Sequence, residues 1–464
     1  MEEYVRAGHR LATLLICTVA LHGCAADPLR SARPTSPLAL DLTQSSSDQV
    51  EITYTMTNAA AALHFAQELG GYRAAAWRPT DSGFRWVGEG AGERVERSDG
   101  KPFDRVTFRI PIDYRALPKS YAPFSPFSEG SALVHSGQFH ACLSLPCDGT
   151  GKLPISFRAA GKIVGVGGQR SNGRARFVSD GEGTNIFLGT LKPVAADGFV
   201  AIIDPGLPED LRRHLDLSLP QSMRFFGSIY GPLSFTPELY VSIDARPEPS
   251  GGESSQGGTL PNQIFMHFDG AKARERLASG TPYWLDWFFA HEAAHLFQQD
   301  KIGRLAGDDA AAWLHEGGAD AMAALALAAR TDAESSYARQ RANTAEAACA
   351  KGLAIAPLDR ATASGSFDLH YQCGLLIWLA LDQALRAAGR DGLNELNRAF
   401  FDKVRAGQPW NETVFLATAR ELGAPDALLA RIERLSRGGY RDASGEVAAL
   451  GALAQQSLSY HDAR

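Results

Sequence analysis

The sequence predicts an α+β chain built as an N-terminal β-sandwich, a mixed stretch of strands and helices, and an α-helical C-terminal part. Three observations predict it. Between Val50 and about Gly168, apolar residues alternate in short runs broken by Gly and Pro, the period of half-buried strands. From Asn185, buried-strand runs and helical patterns take turns. Beyond Arg330 the chain is Ala-rich with helical spacing. At 464 residues and 45% hydrophobic content, there is enough chain for two or three cores. The net charge of −6, without a basic stripe, excludes a nucleic-acid surface.

Taken in order, residues 1–24 read as an address. Arg6, His9 and Arg10 precede an apolar run, Leu11 to Leu21, too short to span a bilayer. The run ends Leu-His-Gly-Cys24, which resembles a bacterial lipobox. The resemblance implies lipidation at Cys24, a membrane contact through acyl chains, and a cell-envelope location, with Ala25 favouring the outer membrane. An ordinary cleaved signal or a short buried helix stays open as the alternative. Residues 25–49 are rich in Pro and Ser and read as a tether.

Residues 50–170 form the expected sandwich. Val50, Ile52, Tyr54 and Met56 alternate, as do Val106, Phe108, Ile110 and Ile112. Ala60 to Leu69 fits a short helix or a strand. Phe103, Phe108, Phe124 and Phe127 read as core. Residues 171–330 hold the apolar runs NIFLGTL, GFVAIID and ELYVSID, helices at Pro208–Leu217 and Pro220–Tyr230, and a Pro/Ser/Gly-rich loop from Arg246 to Gln256. Residues 331–464 are helical at 333–353, 369–388, 392–405 and, with interruptions, 412–437.

After Cys17 and Cys24, four cysteines remain: Cys142, Cys147, Cys349 and Cys373. They suggest two disulfides, most simply Cys142–Cys147 and Cys349–Cys373, although spacing does not set connectivity. The rival reading, a Cys-based zinc site, lacks paired C-x-x-C spacings.

The chemistry concentrates between Trp284 and Asp320. His291, Glu292 and His295 stand as His-Glu-x-x-His in a helical segment, so the two imidazoles lie one turn apart on one face and supply half of a tetrahedral zinc site. Glu292 sits one step round, within reach of a metal-bound water. Glu316 follows on the next helical pattern, in Trp313-Leu-His-Glu-Gly-Gly-Ala-Asp320. It is the candidate third ligand, and Asp320, on the same face, is the candidate acceptor for a ligand histidine's ring N–H. Gly317 and Gly318 each cost about 1 kcal/mol in a helix, and close approach to the metal helix would justify them.

HEAAH followed by WLHEGGAD resembles the gluzincin zinc metallopeptidases. The chain looks closest to the glycyl aminopeptidase family, whose usual PDZ domain is lacking here. LHYQCGLLIWLALD, with Tyr371, Gly374, Leu381 and Asp382, extends the resemblance to about residues 185–405. It implies a thermolysin-like catalytic domain completed by the C-terminal helices and one zinc ion held by His291, His295 and Glu316. It also implies Glu292 as general base, Tyr371 as oxyanion donor, and a peptide or protein substrate. Family aminopeptidases hold the substrate amine with an acid beside a Gly-rich strand. Here Thr259, Leu260 and Pro261 stand there, Asn262 and Gln263 are weak substitutes, and Glu253 is the nearby acid, so aminopeptidase or endopeptidase action stays open. A non-catalytic envelope-binding lipoprotein that keeps a peptidase shell is the alternative.

Overall fold

A computed structural model describes residues 36–462, apart from positions 68, 89–91, 118–119, 148, 150, 197, 245–251, 281–282 and 304–310. The signal-type segment, Cys24 and the start of the tether lie outside the described residues. So does most of the polar stretch between the two helices of the His and Glu candidates. Among the described residues, no helix is long and apolar enough to cross a membrane.

The tether reading fails at its C-terminal end. Leu38–Gln44 is a strand, antiparallel to Gln49–Ala60 and parallel to Leu153–Val166. The alternation in LALDLTQ buries Leu38, Leu40 and Leu42 on one face, and that outweighs the polar composition around it.

Two sheets make the sandwich. The larger is nine-stranded and mixed. The smaller pairs Ala141–Cys142, Ala62–Phe65, Arg94–Arg97 and Phe84–Val87 in that order. Leu63, Phe65 and Val95 from the small sheet share one apolar cluster with Tyr54, Phe108 and Phe139. Ala60–Leu69 therefore contains a strand, and the four phenylalanines expected as core are all buried. The larger sheet runs past residue 170. Asn185–Gly189 pairs with Ala132–His135 and Leu153–Val166, so NIFLG closes the first sheet and does not open the second.

The second sheet has the order Val194–Ala196, Phe199–Ile203, Glu238–Asp244, Gln263–Asp269, Ser254–Leu260. The middle three are parallel, and Ser254–Leu260, here called the edge strand, is antiparallel to its neighbour. The end of the expected 246–256 loop is thus part of a strand. Pro261 and Asn262 form the two-residue hairpin between edge strand and neighbour, and Asn262 has φ 62°. Pro first and a left-handed Asn second is the type II pattern.

The two expected helices between Pro208 and Tyr230 are one, Glu209–Tyr230, with Pro220 inside. An interior Pro costs about 3 kcal/mol. Leu211, Leu215, Leu219, Met223 and Phe226 form a buried stripe worth about 1.5–3 kcal/mol per side chain, so burial wins.

Among the described residues, eight α-helices follow from Tyr283 onward, with the last, Ala443–Asp462, unanticipated in the sequence. One apolar cluster runs through the second sheet and all of these helices, from Phe199 to Leu458. The 330/331 boundary therefore divides no core. Two disulfides form, Cys142–Cys147 and Cys349–Cys373, in the simplest of the open connectivities.

Candidate metal centre

Helix Tyr283–Ile302 is buried on nearly every side, with Leu285, Phe289, Ala290, Ala294 and Leu296 packed into the core. A helix that is apolar all round becomes a central element, and it carries His291 and His295 inward with it. Helix Ala312–Ala328 crosses it and presents Glu316 and Asp320 one turn apart on one face.

Three donor atoms meet. His291 Nε2 lies 2.9 Å from His295 Nε2, and Glu316 Oε2 lies 3.3 Å from the first and 3.2 Å from the second. Each ring's other nitrogen is committed. His291 Nδ1 donates to Asp320 Oδ1 at 2.9 Å, and His295 Nδ1 donates to Gln298 Oε1 at 3.3 Å. With the protons on Nδ1, both Nε2 atoms point lone pairs at each other and at a carboxylate. Three acceptors this close repel unless a proton or a metal cation sits among them. A tetrahedral zinc with donors at about 2.0–2.1 Å spaces them about 3.3 Å apart. The donor set fits such an ion, and among the described residues this is the one such cluster.

Without a metal ion, a proton takes that place. Burial alone would push His291 down, but Asp320 and Glu316 outweigh it and hold the ring well above the ordinary histidine range. Burial would likewise raise Glu316, yet the two imidazoles hold it well below the carboxylate range. Asp320 also accepts from Trp287 Nε1 at 2.8 Å, which fixes the carboxylate that fixes His291.

Glu292 and Tyr371 line the same cavity, of about 430 Å³, together with His291, Trp287 and Arg341. The Thr259 hydroxyl on the edge strand lies 2.8 Å from Glu292 Oε2 and holds that carboxylate. Tyr371 stacks on His291 with ring centroids 5.8 Å apart, and its phenol hydrogen-bonds Glu316. Burial and the Glu316 carboxylate both push that phenol far up, so it stays a proton donor.

Glycine brings Tyr371 there. A Cβ on Gly374 would stand 2.7 Å from Gly317 Cα and 2.9 Å from the Trp313 carbonyl oxygen, and a Cβ on Gly317 would fall on Gly374 Cα. Helices Ala312–Ala328 and Asp368–Ala387 thus touch backbone to backbone. Gly318 packs against Trp378 of the same partner. The close approach expected of Gly317 and Gly318 is therefore made to the tyrosine helix, not to the metal helix. Cys349–Cys373 ties the tyrosine helix to Asp332–Leu353, two residues beyond Tyr371.

Other candidates lie elsewhere. His267 is buried in its strand, with Nδ1 2.8 Å from Ser242 Oγ. His370 is buried and bonded to Thr362 at 3.0 Å. His315 stacks on His295 at 3.9 Å, and burial, then the neighbouring His295, lower it to about 3, so it is neutral packing. Glu253 pairs with Arg276 at 3.4 Å. Gln263 is fixed to the Asn185 backbone, and Asn262 serves the hairpin. None of these supplies an acid at the centre. Sequence reasoning missed the contact of Thr259 with Glu292, and it missed Gln298 and the β-sandwich residue Tyr121, whose hydroxyl packs on Gly258 of the edge strand. Gln298 was within reach of the argument, since it stands one helical turn after His295.

No family model and no curated protein matches the chain. Solved structures do. An aminopeptidase N family protein from Idiomarina loihiensis aligns with TM-score 0.58 and 13% identity over 86% of this chain and 75% of that one. The fold is shared. Native yeast LTA4 hydrolase aligns at TM-score 0.46 and 14% identity, over 86% of this chain and 68% of that chain. A two-domain M1 zinc metallopeptidase bound to L-arginine gives 0.42 and 14%, over 92% and 93%. At 13% identity, the likeness to the Idiomarina loihiensis protein is one of fold.

Proposed function

We propose that this chain is a zinc-dependent metallopeptidase, with His291, His295 and Glu316 as metal ligands. The observation that carries the proposal is three lone-pair donors, 2.9–3.3 Å apart, around one point. The fold shared with an aminopeptidase N family protein supports it. Bound there, zinc would lower the pKa of a coordinated water toward about 7 and polarise a carbonyl. Glu292 takes the proton of the attacking water and passes it to the leaving amine. Thr259 holds the Glu292 carboxylate in its cavity-facing position. Tyr371 donates to the oxyanion of the tetrahedral intermediate. Asp320 and Gln298 keep both imidazoles in the tautomer that leaves Nε2 free. A lipid anchor at Cys24, with the catalytic part held at a cell-envelope membrane, completes the proposal on the strength of the lipobox-like ending alone.

Metal analysis with a peptide digest tests this. Purified protein is expected to carry one zinc per chain and to lose peptide hydrolysis on chelation. Glu316→Gln is expected to reduce zinc well below stoichiometry. Undiminished hydrolysis after metal removal refutes the zinc mechanism, and zinc bound with no peptide cleaved refutes the peptidase reading and leaves a non-catalytic binder in its place.

Thr259 has its own test. A hydrogen bond to a charged group is worth about 1.5–3 kcal/mol, so Thr259→Val is expected to lower kcat by about tenfold or more. Thr259→Ser keeps the hydroxyl and should restore most of it. Equal rates in Val and Ser variants would remove Thr259 from the machinery.

A further inference from the structure

Two cavities flank Glu292. The first holds Glu292 and Tyr371, with Arg341 and Asp368 exposed at its rim. The second, of about 790 Å³, lies along the edge strand and is lined by Gln67, Ser120, Tyr121, His135 and Gln256, with Glu182 exposed at the rim. Thr259 joins them, lining the second cavity while its hydroxyl holds Glu292.

Apart from the exposed Glu182, the described wall of the second cavity is built from neutral groups, most of them polar. The buried Gln138 amide donates to Gln67 Oε1 at 2.9 Å and to the Tyr121 carbonyl at 2.6 Å. Gln256 accepts from Ala122 N–H at 2.8 Å and donates to Ser125 Oγ at 2.9 Å, tying the edge strand to the β-sandwich. His135 is buried, and burial lowers it to about 4, so it carries no charge near neutrality. The carboxylates inside are all engaged: Glu292 with Thr259, Glu316 with the histidines, Asp320 with His291 and Trp287.

An exopeptidase must pay for taking a terminal charge out of water, and it does so with an opposite charge at the closed end of its cleft. Among the described residues, the interior beyond the edge strand offers hydrogen bonds and, apart from Glu182 at the exposed side, no such charge, which suits neutral peptide groups. We propose that the substrate is an extended peptide cut at an internal bond, its chain crossing from one cavity to the other over Glu292. This inference rests on the peptidase reading.

The test uses the full-length, zinc-loaded protein and three substrates: aminoacyl anilides, internally quenched peptides with a free N-terminus, and the same peptides N-acetylated. Cleavage at internal bonds is expected, with acetylation changing kcat/KM by less than about threefold and anilides being poor substrates. Tyr121→Phe is expected to raise KM for the acetylated peptides by about fivefold, the loss of one hydrogen bond, with kcat nearly kept. Stepwise release of N-terminal residues, abolished by acetylation, overturns the inference and leaves the peptidase reading intact. No cleavage in any set, with zinc bound, removes both.

Discussion

Glu292→Gln is expected to keep one zinc per chain and to lower kcat on peptides by about 10²–10⁴-fold, the usual contribution of a positioned general base. The two halves of this result come from different atoms. Glu292 is not among the three donors that converge, so the metal set survives the change. Its carboxylate lines the cavity and is held by Thr259. Gln fills the same space, still accepts from that hydroxyl through its amide oxygen, and cannot take up a proton at neutral pH. Zinc measured by elemental analysis, beside kcat in the same sample, checks both halves. A variant with wild-type kcat would end the assignment of Glu292 as base. A variant that loses zinc would show instead that Glu292 supports the ligand set.

The second large effect is structural. Gly374→Ala is expected to cost about 3 kcal/mol or more of stability, at the upper end for added bulk in a packed core. The added Cβ would meet the Gly317 backbone at 2.7 Å and the Trp313 carbonyl at 2.9 Å. Backbone cannot turn aside as a side chain can, so the two helices must separate. Their separation moves Tyr371 away from Glu316, and activity should fall further than stability alone explains. Denaturant unfolding measures the first part, and kcat per folded molecule the second. An unchanged unfolding midpoint would show that the crossing has slack.

The convergence of His291, His295 and Glu316 was legible because it depends on helical spacing alone. His291 and His295 one turn apart, then Glu316 and Asp320 one turn apart, need only two helices that meet. The cysteine pairs were legible for a similar reason, being few and near in sequence. What escaped depends on how distant pieces meet. Thr259 reaches Glu292 across 33 positions, through a strand whose register only the sheet sets. Tyr121 comes from the β-sandwich side. NIFLG is an apolar run that suits either sheet, and pairing with Ala132–His135 decides which. Leu38–Gln44 was hidden by Pro and Ser nearby, although its alternation was plain. Pro261 looked like a missing acid. In the fold it is the corner of a two-residue turn, a position where ring geometry matters and charge does not.

The shared core also sets an order of events during synthesis. The last helix buries Val447, Leu450, Ala454 and Leu458 against the helices that carry Glu316 and Tyr371. Its Ser457 hydroxyl donates at 2.8 Å to Asp382, a fully buried carboxylate near the end of the tyrosine helix. Until those residues leave the ribosome, the helices that carry Glu316 and Tyr371 keep an open apolar face, while Asp382 has Arg386 and the Leu393 N–H as partners. A nascent chain halted before residue 443 would therefore hold His291, Glu292, His295, Glu316 and Tyr371, yet lack the wall that fixes them. The convergent donors would be held in place only once the Ala443–Asp462 helix has packed.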